Sequence, residues 1–239
     1  MKSILVSSIC IFIFGSFSRV LLFAGLAAEL AYLGMRGLSV GRLPLLGPHD
    51  TLVFFSASIA LMALATSFSP ALGKRGWFTF VSGLAAGLFA LFALMFPASG
   101  MPLPQILDTL WFEAHVVLAF FAYALFAVGA LLCAGFIGGR DRALLDLQFK
   151  AALAGWSFFS ASMVSGGIWG YYAWGTYWLW TPKELWTSIL WLFYALFLHL
   201  RLKGARWDAL SAWLGIAGFV VMLFTYLGVS MLMKSSHSF

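Results

Sequence analysis

Charge is what this sequence has least of. Only 9% of its 239 residues are Asp, Glu, Lys or Arg, against 63% that are hydrophobic. A soluble domain carries roughly a quarter charged residues. This chain has too little polar surface to face water on all sides. The scarcity excludes a soluble enzyme, a disordered chain and a nucleic-acid binder. Cysteine is nearly absent too. Cys10 and Cys133 lie far apart inside apolar runs, with no CxxC. Neither has a redox or zinc-site context, so thiol chemistry would have to come from a partner. There is no internal repeat and no low-complexity linker, which points to one domain over 1–239.

What the chain has in abundance is apolar length. A helix needs about 20 apolar residues to cross a bilayer. Seven runs qualify, near 4–35, 51–69, 77–96, 113–137, 147–168, 185–201 and 209–232. The fold class that follows is an all-α polytopic transmembrane helical bundle of about seven spans. The first run is too long for one plain crossing and contains Arg19. It reads either as one long tilted helix or as a short segment plus a span from Arg19 onward. A cleaved leader finds little support, since no small-residue cleavage site follows a short apolar run.

The net charge of +6 is distributed unevenly. Lys74, Arg75, Arg140, Arg142, Lys150, Arg201, Lys203 and Arg206 crowd one set of short loops. Arg36, Arg42, Lys183 and Lys234 are spread over the other. The denser set is assigned to the cytoplasm by the positive-inside rule. Loops 36–50, 97–112, 169–184 and the C-terminal tail then face outward.

Four histidines stand out against this background: His49, His115, His199 and His237. Counting crossings puts His49, His115, His237 and the 169–184 loop on the outer side, and His199 at the far end of the sixth span. A lone histidine at a helix end is usually an interfacial polar residue, and His49 is read that way. An ionisable group inside a membrane is costly and tends to be functional, which singles out His199. Neutral imidazole binds iron, copper or zinc, and histidine spacing alone does not choose among them.

The stretch 169–186, WGYYAWGTYWLWTPKELW, holds five of the 11 tryptophans and three tyrosines. An aromatic belt explains one or two such residues per helix end. One reading is an amphipathic hairpin resting in the headgroups. The other is a platform for a large flat ligand, since aromatics offer wide contact area at low entropy cost. Thr181-Pro182-Lys183-Glu184 also reads as a helix start with a capping box, so part of the motif is structural. Flat aromatics between two same-side histidines suit a bis-histidine haem.

The segment WGTYWLWTPKELW, Trp174 to Trp186, resembles the tryptophan-rich signature of haem-handling proteins of cytochrome c biogenesis, in particular the CcsA (ResC) branch with its WGxYWxWDPKExW pattern. FEAHVVLAFFAYALF (112–126), LFLHLR (196–201) and FTYLGVSMLMKSSHSF (224–239) resemble its histidine-bearing segments in the same order. GRLPLLGPHDTLVFF (41–55) is similar to a degenerate GHxPxSNxYES. The resemblance implies His115 and His237 as axial ligands of an external haem. Trp174, Gly175, Tyr177, Trp178 and Trp180 would form the shelf beneath it, with Pro182, Glu184 and Trp186 completing the motif. His199 matches a transmembrane histidine that helps haem across the membrane, its counter-ligand coming from a CcsB (ResB)-like partner. Two positions depart from the pattern. Thr181 replaces the family's Asp, keeping the cap and losing a charge. Arg42 stands where the family has His, and His49 where it has Tyr.

The function implied is presentation of haem b for thioether attachment to the CxxCH motif of an apocytochrome c. The chain would be one subunit of a cytochrome c synthase in the bacterial inner membrane, working by positioning in a lipid bilayer and binding no nucleic acid. Two alternatives stay open. One is a haem transporter or chaperone of CcmC-like or HemX-like type. The other is a haem b anchor for electron transfer, which would call for facing histidine pairs at matched depth.

Overall fold

The computed structural model describes residues 2–73, 76–98, 100 and 104–233. Among them all regular structure is helical. Six helical stretches are long and apolar enough to cross a membrane, at 19–40, 47–67, 76–93, 110–139, 142–174 and 205–232. This is the polytopic helical architecture expected. The stretch at 185–201 does form a helix, over 182–201, but falls outside the six. Lys183, Glu184, Thr187, Ser188, His199 and Arg201 make it too polar. By contacts the chain divides into two compact units, 1–103 and 104–239, and each is described on its own.

The first unit begins with α1 (Lys2–Cys10), extended by a π-helical turn over 11–15. The chain then breaks, and α2 runs Arg19–Val40. The long first run is therefore a short segment plus a span. Ser18 makes the break by capping α2, its side chain accepting from the Leu21 amide. Arg19 is spent at once: its guanidinium donates to the carbonyls of Ser67 and Gly73, 2.5 and 3.0 Å away. Gly41 closes α2 in the left-handed region at φ 71°, where a side chain would be strained. Next come α3 (Gly47–Ser67) and α4 (Gly76–Ala93). The α4 glycines let the N-terminal segment approach closely. A Cβ on Gly83 would collide with Ser16, and one on Gly87 would come within 2.8 Å of Ile13.

Two residues assigned to an outer loop are in fact buried here. Arg36 forms a two-pronged ion pair with Asp50 at 3.1 and 3.2 Å. His49 is not interfacial. Its Nε2 lies 2.7 Å from the Tyr32 hydroxyl and its Nδ1 2.9 Å from the Ala93 carbonyl. Partners on two neighbouring helices, α2 and α4, draw it inward.

The second unit is built from α5 (Leu110–Gly139), α6 (Arg142–Trp174), α7 (Pro182–Arg201), α8 (Asp208–Leu223) and α9 (Val229–Leu232), with a π-helical turn over 224–228 joining the last two. Thr109 and Asp141 cap α5 and α6 through bonds from the Phe112 and Ala143 amides. Small residues let α5 and α6 pack closely, with Gly155 against Phe126. Phe126 in turn stacks on Tyr194 of α7 at 3.6 Å between ring centres. At the turn from α7 to α8, Asp208 pairs with Arg142 (2.7 Å) and Arg201 (2.8 Å). Two of the charges counted toward one side, Arg142 and Arg201, thus sit on an ion-pair network. Lys74, Arg75 and Lys234 lie outside the described residues. Both cysteines are free thiols, Cys133 buried and Cys10 exposed.

Candidate functional site

At one end of the second unit the start of α5, the C-terminal half of α6 and the start of α7 enclose a cavity. His115, Ser162, Gly166, Trp174, Tyr177, Trp178 and Lys183 are among its lining residues. His115 is the sixth residue of α5. Its Nδ1 lies 2.8 Å from the Ser162 carbonyl oxygen. A carbonyl can only accept, so Nδ1 carries the proton and Nε2 keeps a lone pair. Among the described residues Nε2 takes no hydrogen bond. The Ser162 hydroxyl donates to the His115 carbonyl at 2.8 Å, tying the two helices at the same level. Gly166 completes the seat, because a Cβ there would stand 2.5 Å from His115 Nδ1. The ring is held in a tight slot in one tautomer, the arrangement that orients a metal-ligating histidine.

The aromatic stretch expected as a loop over 169–186 is mostly helix. Trp169, Tyr171, Tyr172 and Trp174 belong to the last turns of α6, and α7 begins at Pro182. No residue before Gly175 stops the helix. Gly175 does so at φ 75°, its amide bonding the Tyr171 carbonyl. The true connection is 175–181. Trp169 is a packing residue: it is buried, and its indole N–H donates to the Ile106 carbonyl at 2.8 Å. Tyr171 and Tyr177 stack at 4.7 Å, and Trp178 meets Trp180 edge-on at 6.3 Å. Tyr177 and Trp180 are exposed. Trp186 instead packs on Phe224 at 4.6 Å.

Trp180 sits in the left-handed region at φ 57°, a conformation bulky residues avoid. Glu184 holds it there. Its buried carboxylate accepts from the amides of Leu179 (3.0 Å) and Thr181 (2.8 Å), one on either side of Trp180. The Thr181 side chain accepts from the Glu184 amide, which closes the capping box. Thr181 therefore keeps the cap that Asp would make, as the sequence implied. Glu184 is a cap and also a clamp on the connection.

Lys183 anchors the site from below. Its ammonium donates to the Tyr226 carbonyl (2.9 Å) and the Ser230 hydroxyl (2.6 Å). The π-helical turn displaces carbonyls from the regular ladder, and Lys183 takes one of them. These bonds bring the end of the α8–α9 rod to the start of α7. The described chain thus finishes at Met233, at the same end as the cavity. His237 lies outside the described residues.

His199 stands at the other end of α7, 17 residues beyond Pro182 and roughly 25 Å away at helical rise. It faces outward. Its Nδ1 bonds the Ala195 carbonyl at 2.7 Å, leaving Nε2 as the lone-pair nitrogen here too. Among the described residues no group of three or more His, Cys, Asp or Glu side chains is placed to hold a metal ion. Sequence reasoning missed Ser162 and the cavity role of Lys183. Ser162 is 47 positions from the histidine it orients, and Lys183 counted only as a loop charge.

A profile of the family described as "Cytochrome C assembly protein" matches residues 48–237. Among curated proteins, the "Cytochrome c biogenesis protein CcsA" of Chlamydomonas reinhardtii is 30% identical over 222 residues, covering 83% of this chain and 61% of that protein. The protein of the same name from Synechococcus sp. (strain RCC307) is 28% identical over 273 residues, covering 94% and 86%. That from Guillardia theta is 26% identical over 242 residues, covering 87% and 80%.

Proposed function

The chain belongs to the cytochrome c assembly protein family, and from that premise we propose that it holds haem at the 175–181 connection for covalent attachment to an apocytochrome c. The observation that carries this reading is His115. Its proton is fixed on Nδ1 by the Ser162 carbonyl, and it lines a cavity walled by Trp174, Tyr177 and Trp178. A flat apolar macrocycle whose iron takes an axial imidazole fits that donor and those walls. His237 is the second axial ligand in this proposal, on the family resemblance alone. Trp180, held exposed by Glu184, with Gly175, Pro182 and Trp186, shapes the shelf.

Haem is substrate here. When bound it supplies the vinyl groups across which two cysteine S–H groups of a CxxCH motif add. This chain's residues bind and orient: His115 fixes the ring's position, the aromatic walls exclude water, and the open side admits the apocytochrome. The rate gain comes from held geometry. The chain works in the bacterial inner membrane with this end outward. At the opposite end of α7, His199 is exposed on an apolar helix face with Leu192 and Leu196, and calls for a neighbour that engages its second ring nitrogen. A CcsB-like membrane protein supplying a counter-ligand meets that need, and the two together form the synthase.

The test is purification with the partner and an absorption spectrum. A bis-histidine haem spectrum is expected, absent in the His115→Ala/His237→Ala double variant. Normal cytochrome c assembly in both single variants, without added imidazole, would overturn the ligand assignment. Bound haem with no thioether product, when apocytochrome is added to the complex, would favour transport alone.

A further inference from the structure

The first unit contains a buried polar ladder that the haem reading leaves unused. Glu29, Tyr32 and Arg36 lie on one face of α2, at i, i+3 and i+7. Opposite them on α3 stand Ser56, His49 and Asp50, each in contact with its counterpart. The ladder descends from the 41–46 connection to Glu29, the eleventh of the 22 residues of α2. Glu29 is thus roughly 15 Å from either end of the helix. It is wholly buried, and among the described residues no Lys or Arg pairs with it.

Hydrogen counting points to a protonated carboxyl. Ser56 Oγ lies 2.7 Å from the Ala86 carbonyl and 3.1 Å from Glu29 Oε2. A serine hydroxyl has one proton, and the shorter contact to Ala86 claims it. The contact to Glu29 is then a hydrogen bond only if Oε2 carries a proton and donates it to Ser56. An ionised Glu29 would leave the contact without a proton and a bare, unpaired charge buried in the helix bundle, which burial strongly disfavours. Among the described residues Glu29 Oε1 has no partner, nor has the buried hydroxyl of Ser82, one turn along α4 from Ala86. Of the other elements packed on α2, α1 offers only Lys2 and Cys10, while the 11–15 turn and α4 offer no ionisable group. Arg19 is bound to the Ser67 and Gly73 carbonyls, and Arg36 pairs with Asp50.

We propose that Glu29 is a proton-binding site in the middle of the first unit, exchanging its proton with the 41–46 side through Tyr32 and His49. His49 Nδ1 donates to the Ala93 carbonyl, so its Nε2 accepts from the Tyr32 hydroxyl. The lone pairs of the Tyr32 oxygen, one turn from Glu29, remain to receive a proton. When Glu29 gives a proton to the Tyr32 oxygen, Tyr32 gives its own to His49 Nε2. The imidazolium then releases a proton to solvent at the 41–46 end, and the reverse sequence returns one to Glu29, so no net charge stays behind.

Infrared spectroscopy of the full chain in lipid bilayers tests this. The native protein should show a carboxylic-acid carbonyl band that shifts in heavy water and is lost in Glu29→Gln. Ser56→Ala should move the band to higher frequency, and Tyr32→Phe should slow its deuterium exchange at least tenfold. An ionised Glu29 would give no such band, and a protonated Glu29 with a purely structural role would give the band with an exchange rate unchanged in Tyr32→Phe. Because variants can misfold, the native chain is also treated with dicyclohexylcarbodiimide, which adds to protonated carboxyls in apolar surroundings. Mass spectrometry should find the adduct on Glu29. A native chain with neither band nor adduct overturns the site, and an exchange rate unchanged in Tyr32→Phe overturns the route.

Discussion

His49 and His115 stand near the N-terminal ends of α3 and α5, and the two units treat them in opposite ways. In the first unit both ring nitrogens of His49 are engaged, one by Tyr32 and one by Ala93. In the second, among the described residues only Nδ1 of His115 is engaged, by Ser162. The first histidine completes a closed network. The second is braced from behind and left with a free lone pair facing a cavity. A histidine's presence in a membrane segment therefore says little; what matters is how many of its nitrogens the fold has already used.

The sharpest way to break this contrast is to remove each ring in turn. His115→Ala should abolish haem retention and cytochrome c assembly, with partial rescue by imidazole, read from the absorbance of purified complex. His49→Phe should leave the haem band in place. It should instead cost about 1–3 kcal/mol of stability, because Tyr32 and Ala93 lose a buried partner. Loss of haem from both variants would erase the distinction.

Next in size is the closed network itself. Asp50→Asn removes the carboxylate charge that the buried Arg36 guanidinium grips in two prongs. It should cost about 3–5 kcal/mol, seen as a lower unfolding midpoint in detergent with haem binding per folded molecule unchanged. On the open side, Gly166→Ala pushes a methyl group against His115 Nδ1 and should weaken haem retention roughly 10–100-fold, the usual loss when the group orienting a ligand is disturbed. A haem titration of the purified variant measures it. The smallest effect belongs to the helix cap. Thr181→Ala should cost about 1 kcal/mol, within the range of 0.5–2 typical of a lost N-cap. Thr181→Asp should change stability by only a few tenths.

The fold was largely legible in the sequence, because apolar length is a direct membrane signal and caps announce themselves locally. Thr181 and Glu184 sit three positions apart, and their mutual bonds follow from helix geometry. The site was legible only in part. His115 could be singled out, but the serine that orients it is 47 residues away. His49 looked interfacial because its partners, Tyr32 and Ala93, lie 17 and 44 positions off. The aromatic run read as a loop because tryptophan and tyrosine carry no stop signal. Only Gly175 ends the helix, so the connection proved to be 175–181.

One carboxylate oxygen of Glu184 both closes the α7 cap and grips the amides flanking Trp180. That double duty fixes the length of the motif as well as its composition. Inserting or deleting a single residue between Leu179 and Glu184 would rotate the carboxylate about 100° around the helix axis and release cap and connection together. Over these six positions the chain can change many side chains more safely than it can change its count.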